Sequence, residues 1–264
     1  MNVIASARNA AAREYRLVAQ KGVSGKVALE GARLVRDAIE ARVQILGLYL
    51  TESFARSAAG GEILSLARAA GMGATLITER VADSMTQTKT PQGVFAVARW
   101  APLSEQDLLR LQFHTLVALD GVGDPGNVGT IIRTSAALGV GGVVLGPGCA
   151  SPSNPKVVRA SMGAMFRIPV SELRDLSGFL ARVRRLGMAV VVSDPESGVP
   201  PDQIQFGERA VLVIGAEARG VSDPVAHLAT AQVRIPMAHD VESLNAGAAA
   251  AILIYEAVRN IGAH

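Results

Sequence analysis

Three separated stretches of this chain combine glycine or proline with a few polar side chains, each at the end of an apolar run: residues 120–134, 213–222 and 234–247. Together they supply Arg133, Asn127, Asn245, Glu217 and Ser243. A guanidinium grips anions through a planar fork of donors. Amide and carboxylate groups orient a hydroxyl or one another. Taken singly, several of these residues have plainer uses. Asn127 and Ser243 each stand where a helix begins and suit a cap. Glu217, just after an apolar strand, reads alone as a capping carboxylate or as a salt bridge to Arg219. Arg133 has Gly129, Thr130, Ala136 and Ala137 as its helical neighbours. That small-residue face admits close approach by something large, so the side chain is either solvated or a grip for a phosphate.

The first stretch also contains Gly121-Val-Gly123-Asp-Pro-Gly126, a match to the dinucleotide fingerprint between a strand and a helix. The fingerprint needs an acidic residue about 20 positions further on for the ribose hydroxyls. No Asp or Glu occurs between Asp124 and Glu172. Pro125 also removes an N–H that a phosphate cradle would use. A nicotinamide-dependent oxidoreductase and an ordinary Rossmann methyltransferase are both excluded on these grounds.

Several short elements must hold these residues. Strands are expected at 27–30, 45–50, 74–77 and 93–98, with helices at 33–41, 61–70 and 81–86 and a basic helical stretch over 1–22. This is an α/β unit of about a hundred residues. Trp100-Ala-Pro-Leu103 breaks the rhythm, and Ser104 with Asp107 marks a new helix start. A boundary is therefore placed at 1–99, a linker at 100–113 and a second domain at 114–264. Within the second domain, apolar strands at 115–119, 142–145, 189–192, 210–214 and 232–235 alternate with helices at 128–138, 154–162, 173–186, 225–228 and 244–260. Alternation of that kind predicts a parallel sheet covered on both faces. Loops after such strands gather at their carboxyl ends, where ligands bind.

Of the 264 residues, 49% are hydrophobic and 4% aromatic, so a full core is expected but not a binder that stacks many bases on rings. The net charge of +3 is unevenly placed. Arg8, Arg13, Arg16, Lys21, Lys26, Arg33 and Arg36 face only Glu14 and Glu30 in the first 36 residues. That excess suits phosphate contact, or else a solvated helix. Cys149 is the single cysteine and the four histidines lack paired spacing, so no metal site is expected. No long apolar run or leader-like segment is found, which points to the cytoplasm and away from membranes.

Read together, the three stretches resemble the motifs of the SpoU (TrmH-like) branch of the SPOUT RNA methyltransferases. The Ser243-Leu-Asn245 triplet ahead of a small-residue helix is the most specific part. Lys156-Val-Val-Arg159-Ala-Ser161 through Pro169 resembles a further family stretch, and 29–35 with 88–95 resembles the L30e-like domain that precedes many SpoU catalytic domains. The resemblance implies an S-adenosylmethionine-dependent RNA ribose 2′-O-methyltransferase. It implies an L30e-like α/β domain followed by a parallel-sheet SPOUT domain with a carboxyl-terminal trefoil knot, working as a homodimer. Arg133, Asn127, Glu217, Ser243 and Asn245 would form the catalytic set. Backbone groups at Gly215, Ile235 and Leu244 would hold S-adenosylmethionine, with Gly215 allowing close approach. Arg159 and Ser161, with Arg8, Arg13 and Arg16, would contact RNA. Asp124, where the family often has asparagine, receives no catalytic role. Large-subunit ribosomal RNA is the expected substrate; transfer RNA, or an inert RNA-binding homologue, are the alternatives.

Overall fold

The computed structural model describes residues 3–88, 91–194, 196–238 and 244–261. The chain divides into two compact units, Met1–Ala101 with Ser153–Phe166, and Pro102–Pro152 with Arg167–His264.

The first unit opens with β1 (Val3–Ile4), α1 (Ala10–Lys21), β2 (Lys26–Glu30), α2 (Ala32–Glu40) and β3 (Ile45–Thr51). It continues with α3 (Glu52–Ala55), α4 (Ala58–Ala69), β4 (Thr75–Ile77), α5 (Glu79–Met85) and β5 (Val94–Arg99). The strands form one mixed sheet in the order β1-β4-β3-β5-β2. Neither β1 nor α3 was legible in the sequence; two and four residues are too few to carry a period. Helix α1 is part of the core: Ala12, Tyr15, Val18 and Ala19 are buried with Phe95 and Val97 of β5. The Tyr15 and Phe95 rings meet edge to face with centroids 5.4 Å apart.

The second unit begins with α6 (Glu105–Arg110), β6 (Thr115–Asp120), α7 (Pro125–Ala137) and β7 (Gly142–Leu145). Next in the chain comes α8 (Pro155–Ala160), which belongs to the first unit. The second unit resumes with β8 (Val170–Glu172), α9 (Leu176–Arg185), β9 (Ala189–Ser193), β10 (Ala210–Gly215), α10 (Asp223–Ala226), β11 (Ala231–Val233) and α11 (Ala246–Ile261). Its sheet is parallel throughout, in the order β11-β9-β10-β6-β7-β8. All of β6 and all of β7 are buried, as a sheet covered on both faces requires. The path from β11 to α11, on which the expected knot turns, includes residues 239–243, outside the described residues.

Two boundaries differ from the sequence reading. The expected linker 100–113 is built into the second unit from Pro102 onward: Leu108 and Phe113 are core residues, and Leu103 N–H donates to the Val170 carbonyl at 2.8 Å. Glu105 also accepts a two-pronged bond from Arg182, at 2.5 and 2.7 Å. In the other direction, residues 153–166 leave the catalytic stretch and pack into the first unit, where Val157 and Val158 are wholly buried. Linear patterns cannot show such an exchange, because an amphipathic helix carries no label for the core it will join.

Candidate active site and cofactor cleft

The loop after β6 is shaped locally by its own residues. Asp124 caps α7 by accepting the Asn127 N–H at 2.8 Å, and Pro125 occupies the first helical turn. Asp124 is therefore the cap, and Asn127 is released for other bonds. Asn127 is 8% exposed, and both ends of its amide are used. Its Nδ2 donates to Glu217 Oε1 at 2.5 Å, and its Oδ1 accepts from Asn245 Nδ2 at 2.9 Å.

Glu217 is the hub of this cluster. The same Oε1 accepts from Asn245 Nδ2 at 3.1 Å and from the Ala246 N–H at 3.2 Å. No salt bridge joins Glu217 to Arg219 among the described residues. Asn245 is also the cap of α11, its Oδ1 accepting the N–H groups of Gly247 and Ala248 at 3.0 and 3.3 Å. The cap expected at Ser243 is thus supplied two residues later; Ser243 itself lies outside the described residues. Three residues from three loops are locked together at the carboxyl end of the sheet. A buried amide with every group partnered is well placed to stay rigid.

Beside the cluster lies a cleft lined by Ser193, Asp194, Ile214, Gly215, Ala216, Glu217, Gly220, Val233, Ile235, Met237, Leu244, Ala246, Ala249 and Leu253. It gathers Gly215, Ile235 and Leu244, the three residues expected to hold S-adenosylmethionine. The fit is chemical: apolar walls suit a purine, and the carboxylates Asp194 and Glu217 suit a molecule that carries positive charge. At Asp194, partial burial opposes ionisation, but the Ser197 hydroxyl and the Glu196 and Ser197 N–H groups outweigh it and hold the carboxyl below its ordinary range. Gly215 also has a task within its own chain. A Cβ there would lie 2.2 Å from the Gly220 carbonyl carbon and 2.4 Å from the Val221 nitrogen. The missing side chain makes room for the chain's own loop, closed by paired Ala216–Gly220 backbone bonds of 3.0 and 2.7 Å.

Asp120, to which the sequence alone assigns no role, shapes the site from behind. Its Oδ2 accepts both the N–H and the hydroxyl of Ser222 at 2.7 Å, fastening the second loop to the end of β6. A carboxylate ending an otherwise apolar strand was the available signal.

Arg133 is exposed and makes no hydrogen bond or ion pair among the described residues. On α7, Asn127 and Thr130 face α11, since a Cβ on Gly247 would lie 3.3 Å from Thr130 Cγ2 and 3.4 Å from Asn127 Oδ1. Arg133 leaves the helix about 120° round the axis from Asn127. Within one chain, its guanidinium is not part of the cluster.

The expected RNA contacts divide. Arg8 and Arg13 are exposed. Arg16 is engaged internally, donating to Ser84 Oγ at 3.1 Å and to the Ala7 carbonyl at 2.8 Å. Arg159 is half-buried, near enough to Tyr15 to favour its phenolate slightly, although burial and then Glu30 push that phenol well up. Ser161 is wholly buried and donates to the Val158 carbonyl at 2.8 Å, so its hydroxyl closes a helix end and does not face solvent.

Among the described residues no group of His, Cys, Asp and Glu is arranged to hold a metal ion, and no helix is long and apolar enough to cross a membrane. Residues 114–255 match the model of the SpoU rRNA Methylase family, and residues 28–102 match that of RNA 2′-O ribose methyltransferase substrate binding domains. The chain belongs to the SpoU family. Membership makes it an RNA ribose 2′-O-methyltransferase that uses S-adenosylmethionine. The Bacillus subtilis 23S rRNA (guanosine(2553)-2′-O)-methyltransferase RlmP is 34% identical over 185 residues, covering 70% of this chain and 72% of its own. The Streptomyces laurentii 23S rRNA (adenosine(1067)-2′-O)-methyltransferase is 33% identical over 201 residues, 75% of this chain and 74% of its own. An AdoMet-bound rRNA methyltransferase from Sinorhizobium meliloti superposes with a TM-score of 0.85 at 30% identity, over 98% of this chain and 97% of that one. The AdoMet complex of the SpoU methyltransferase AviRb from Streptomyces viridochromogenes gives 0.84 at 26% identity, over 97% and 99%.

Proposed function

We propose that this SpoU enzyme methylates a ribose 2′-hydroxyl of large-subunit ribosomal RNA in the cytoplasm, as a homodimer whose carboxyl end is tied in a trefoil knot. The observation that carries the site assignment is the bonded set Asn127–Glu217–Asn245 at the mouth of the cleft lined by Gly215, Ile235 and Leu244. The ribosomal substrate is supported by the relatives named for 23S rRNA and by the substrate-binding match over 28–102. An inert homologue would have no use for so complete a polar set.

A ribose hydroxyl is a poor nucleophile at neutral pH. Bound S-adenosylmethionine supplies an electrophilic methyl on a sulfonium sulfur. The chain supplies alignment. Glu217 fixes the two asparagine amides, and these fix the start of α11 and one wall of the cleft. Arg133 serves as a fixed cation that binds a phosphate and stabilises the developing alkoxide, the proton leaving to a phosphate oxygen or water. Because Arg133 makes no bond to the cluster of its own chain, a second copy brings it to the site. Ser243 keeps its assigned role of ordering the catalytic loop. Arg8, Arg13 and Arg159 are retained as RNA contacts.

The test is to incubate the purified chain with S-adenosylmethionine and ribosomal RNA, and to map 2′-O-methyl groups. New methylation at one position of the large-subunit RNA is expected. Methylation confined to transfer RNA, or none despite cofactor binding, would overturn the substrate or the activity respectively.

A further inference from the structure

A second groove opens on the other side of the 215–222 loop. Its lining includes Asp120, Arg174, Asp175, Ala216, Arg219 and Gly220. Its volume of about 410 Å³ falls within the ~300–1,000 Å³ range of small-ligand sites. Ala216 and Gly220 belong to its wall and to that of the cofactor cleft, so one turn of backbone separates the two. The groove sits at the carboxyl ends of β10, β6 and β7. Strand β6 leads on to β7 on one side of the sheet, while β10 leads on to β11 on the other. Such a divergence is where open parallel sheets bind ligands. The cofactor cleft lies instead at the ends of β9, β10 and β11.

The groove's charged groups are unequally committed. Asp120 is tied by Oδ2 to Ser222. Asp175 caps α9, its Oδ1 accepting the Gly178 N–H at 2.8 Å and the Ser177 hydroxyl at 2.9 Å, and these bonds hold its carboxyl below the ordinary range. Arg174 and Arg219 are exposed and make no hydrogen bond or ion pair among the described residues, either with these carboxylates or with others. Formal charges in the lining cancel, but the donors do not: two guanidiniums remain unspent while the carboxylates already hold intrachain partners. Planar forks of this kind match phosphate oxygens. Asp120 Oδ1 accepts nothing among the described residues and is free to take a sugar hydroxyl or a base amino group.

We infer that this groove binds one nucleotide of the RNA strand beside the methylated one, with Arg174 and Arg219 gripping its phosphodiester. The inference rests on the RNA reading of the site and names a stretch of the substrate's path.

Binding of a mixed-sequence single-stranded RNA of about twenty nucleotides is measured against salt for the full chain, for R174A/R219A and for R174K/R219K. The alanine pair should weaken binding by about tenfold per arginine. It should also flatten the plot of log affinity against log salt by about 0.7 for each phosphate no longer neutralised. The lysine pair should keep the slope but regain only part of the affinity, since an ammonium keeps the charge and loses the fork. S-adenosylmethionine affinity, measured by calorimetry, should be unchanged in both, which shows that the loop has kept its shape. Unaltered RNA affinity and slope in the alanine pair overturn the inference, as does arginine-dependent binding of inorganic phosphate with RNA binding untouched. Failure of the wild-type chain to bind S-adenosylmethionine would sink the methyltransferase reading instead, and leaves the salt slopes to be read by themselves.

Discussion

Glu217 is the residue on which the site's rigidity turns. One carboxylate oxygen accepts from two side-chain amides and one backbone N–H. That is a positioning role, and it separates charge from geometry in a test. Glu217→Ala strands three donors, one of them on the buried Asn127, and should cost about 1–3 kcal/mol of stability. Thermal unfolding should register that loss, and cofactor affinity should fall with it. Glu217→Gln keeps an acceptor oxygen and should recover most of both. An alanine variant that melts like the wild type would remove the positioning role.

At the scale of elements, the 215–222 loop is the shared wall of cleft and groove, and a glycine makes it possible. Gly215→Ala would push a methyl group into the Gly220–Val221 backbone. Backbone cannot swing aside as a flexible side chain can, so a cost of about 1–3 kcal/mol is expected. Asp120 holds the far end of the same loop, so displacement should travel to Glu217 and reduce cofactor affinity. Calorimetry with S-adenosylmethionine and a melting curve check both parts. Full cofactor affinity in Gly215→Ala would show that the loop tolerates the shift.

The molecule as a whole must answer why the one cation of the expected catalytic set lies off the cluster. If a second copy supplies Arg133, two inactive variants should complement each other. Arg133→Ala and Asn245→Ala homodimers are each expected to be inactive. Mixed and allowed to exchange, they form heterodimers with one intact site, restoring roughly a quarter of wild-type methylation at random pairing. No recovery in a mixture shown by sedimentation to have exchanged would place the arginine in its own chain's site. Helix α1 also has a role at this scale. It carries the exposed Arg13 on one side and core residues on the other, so it cannot be removed as a detachable basic arm without opening the first unit's core.

The sequence by itself determined the parallel sheet, because the buried stretches Leu116–Leu119 and Ala210–Ile214 are continuous apolar runs followed closely by glycines. It also picked out the three loops whose Asn127, Glu217 and Asn245 the fold joins, because polar residues directly after such strands are seldom spent on packing. These signals act over a few residues, within reach of a helix turn or a strand pleat. Only the tertiary structure decided that Asp124 caps α7 and frees Asn127, since both residue types make good caps. It alone decided that Asn245 meets Asn127 across 118 positions, and that Ser222 meets Asp120 across 102. The first contact follows from α11 packing on α7 and the second from β10 lying beside β6, and neither arrangement leaves a local trace. The burial of Ser161 and the internal use of Arg16 are of the same kind: a helix pattern says that one face will be covered, and the fold decides what covers it.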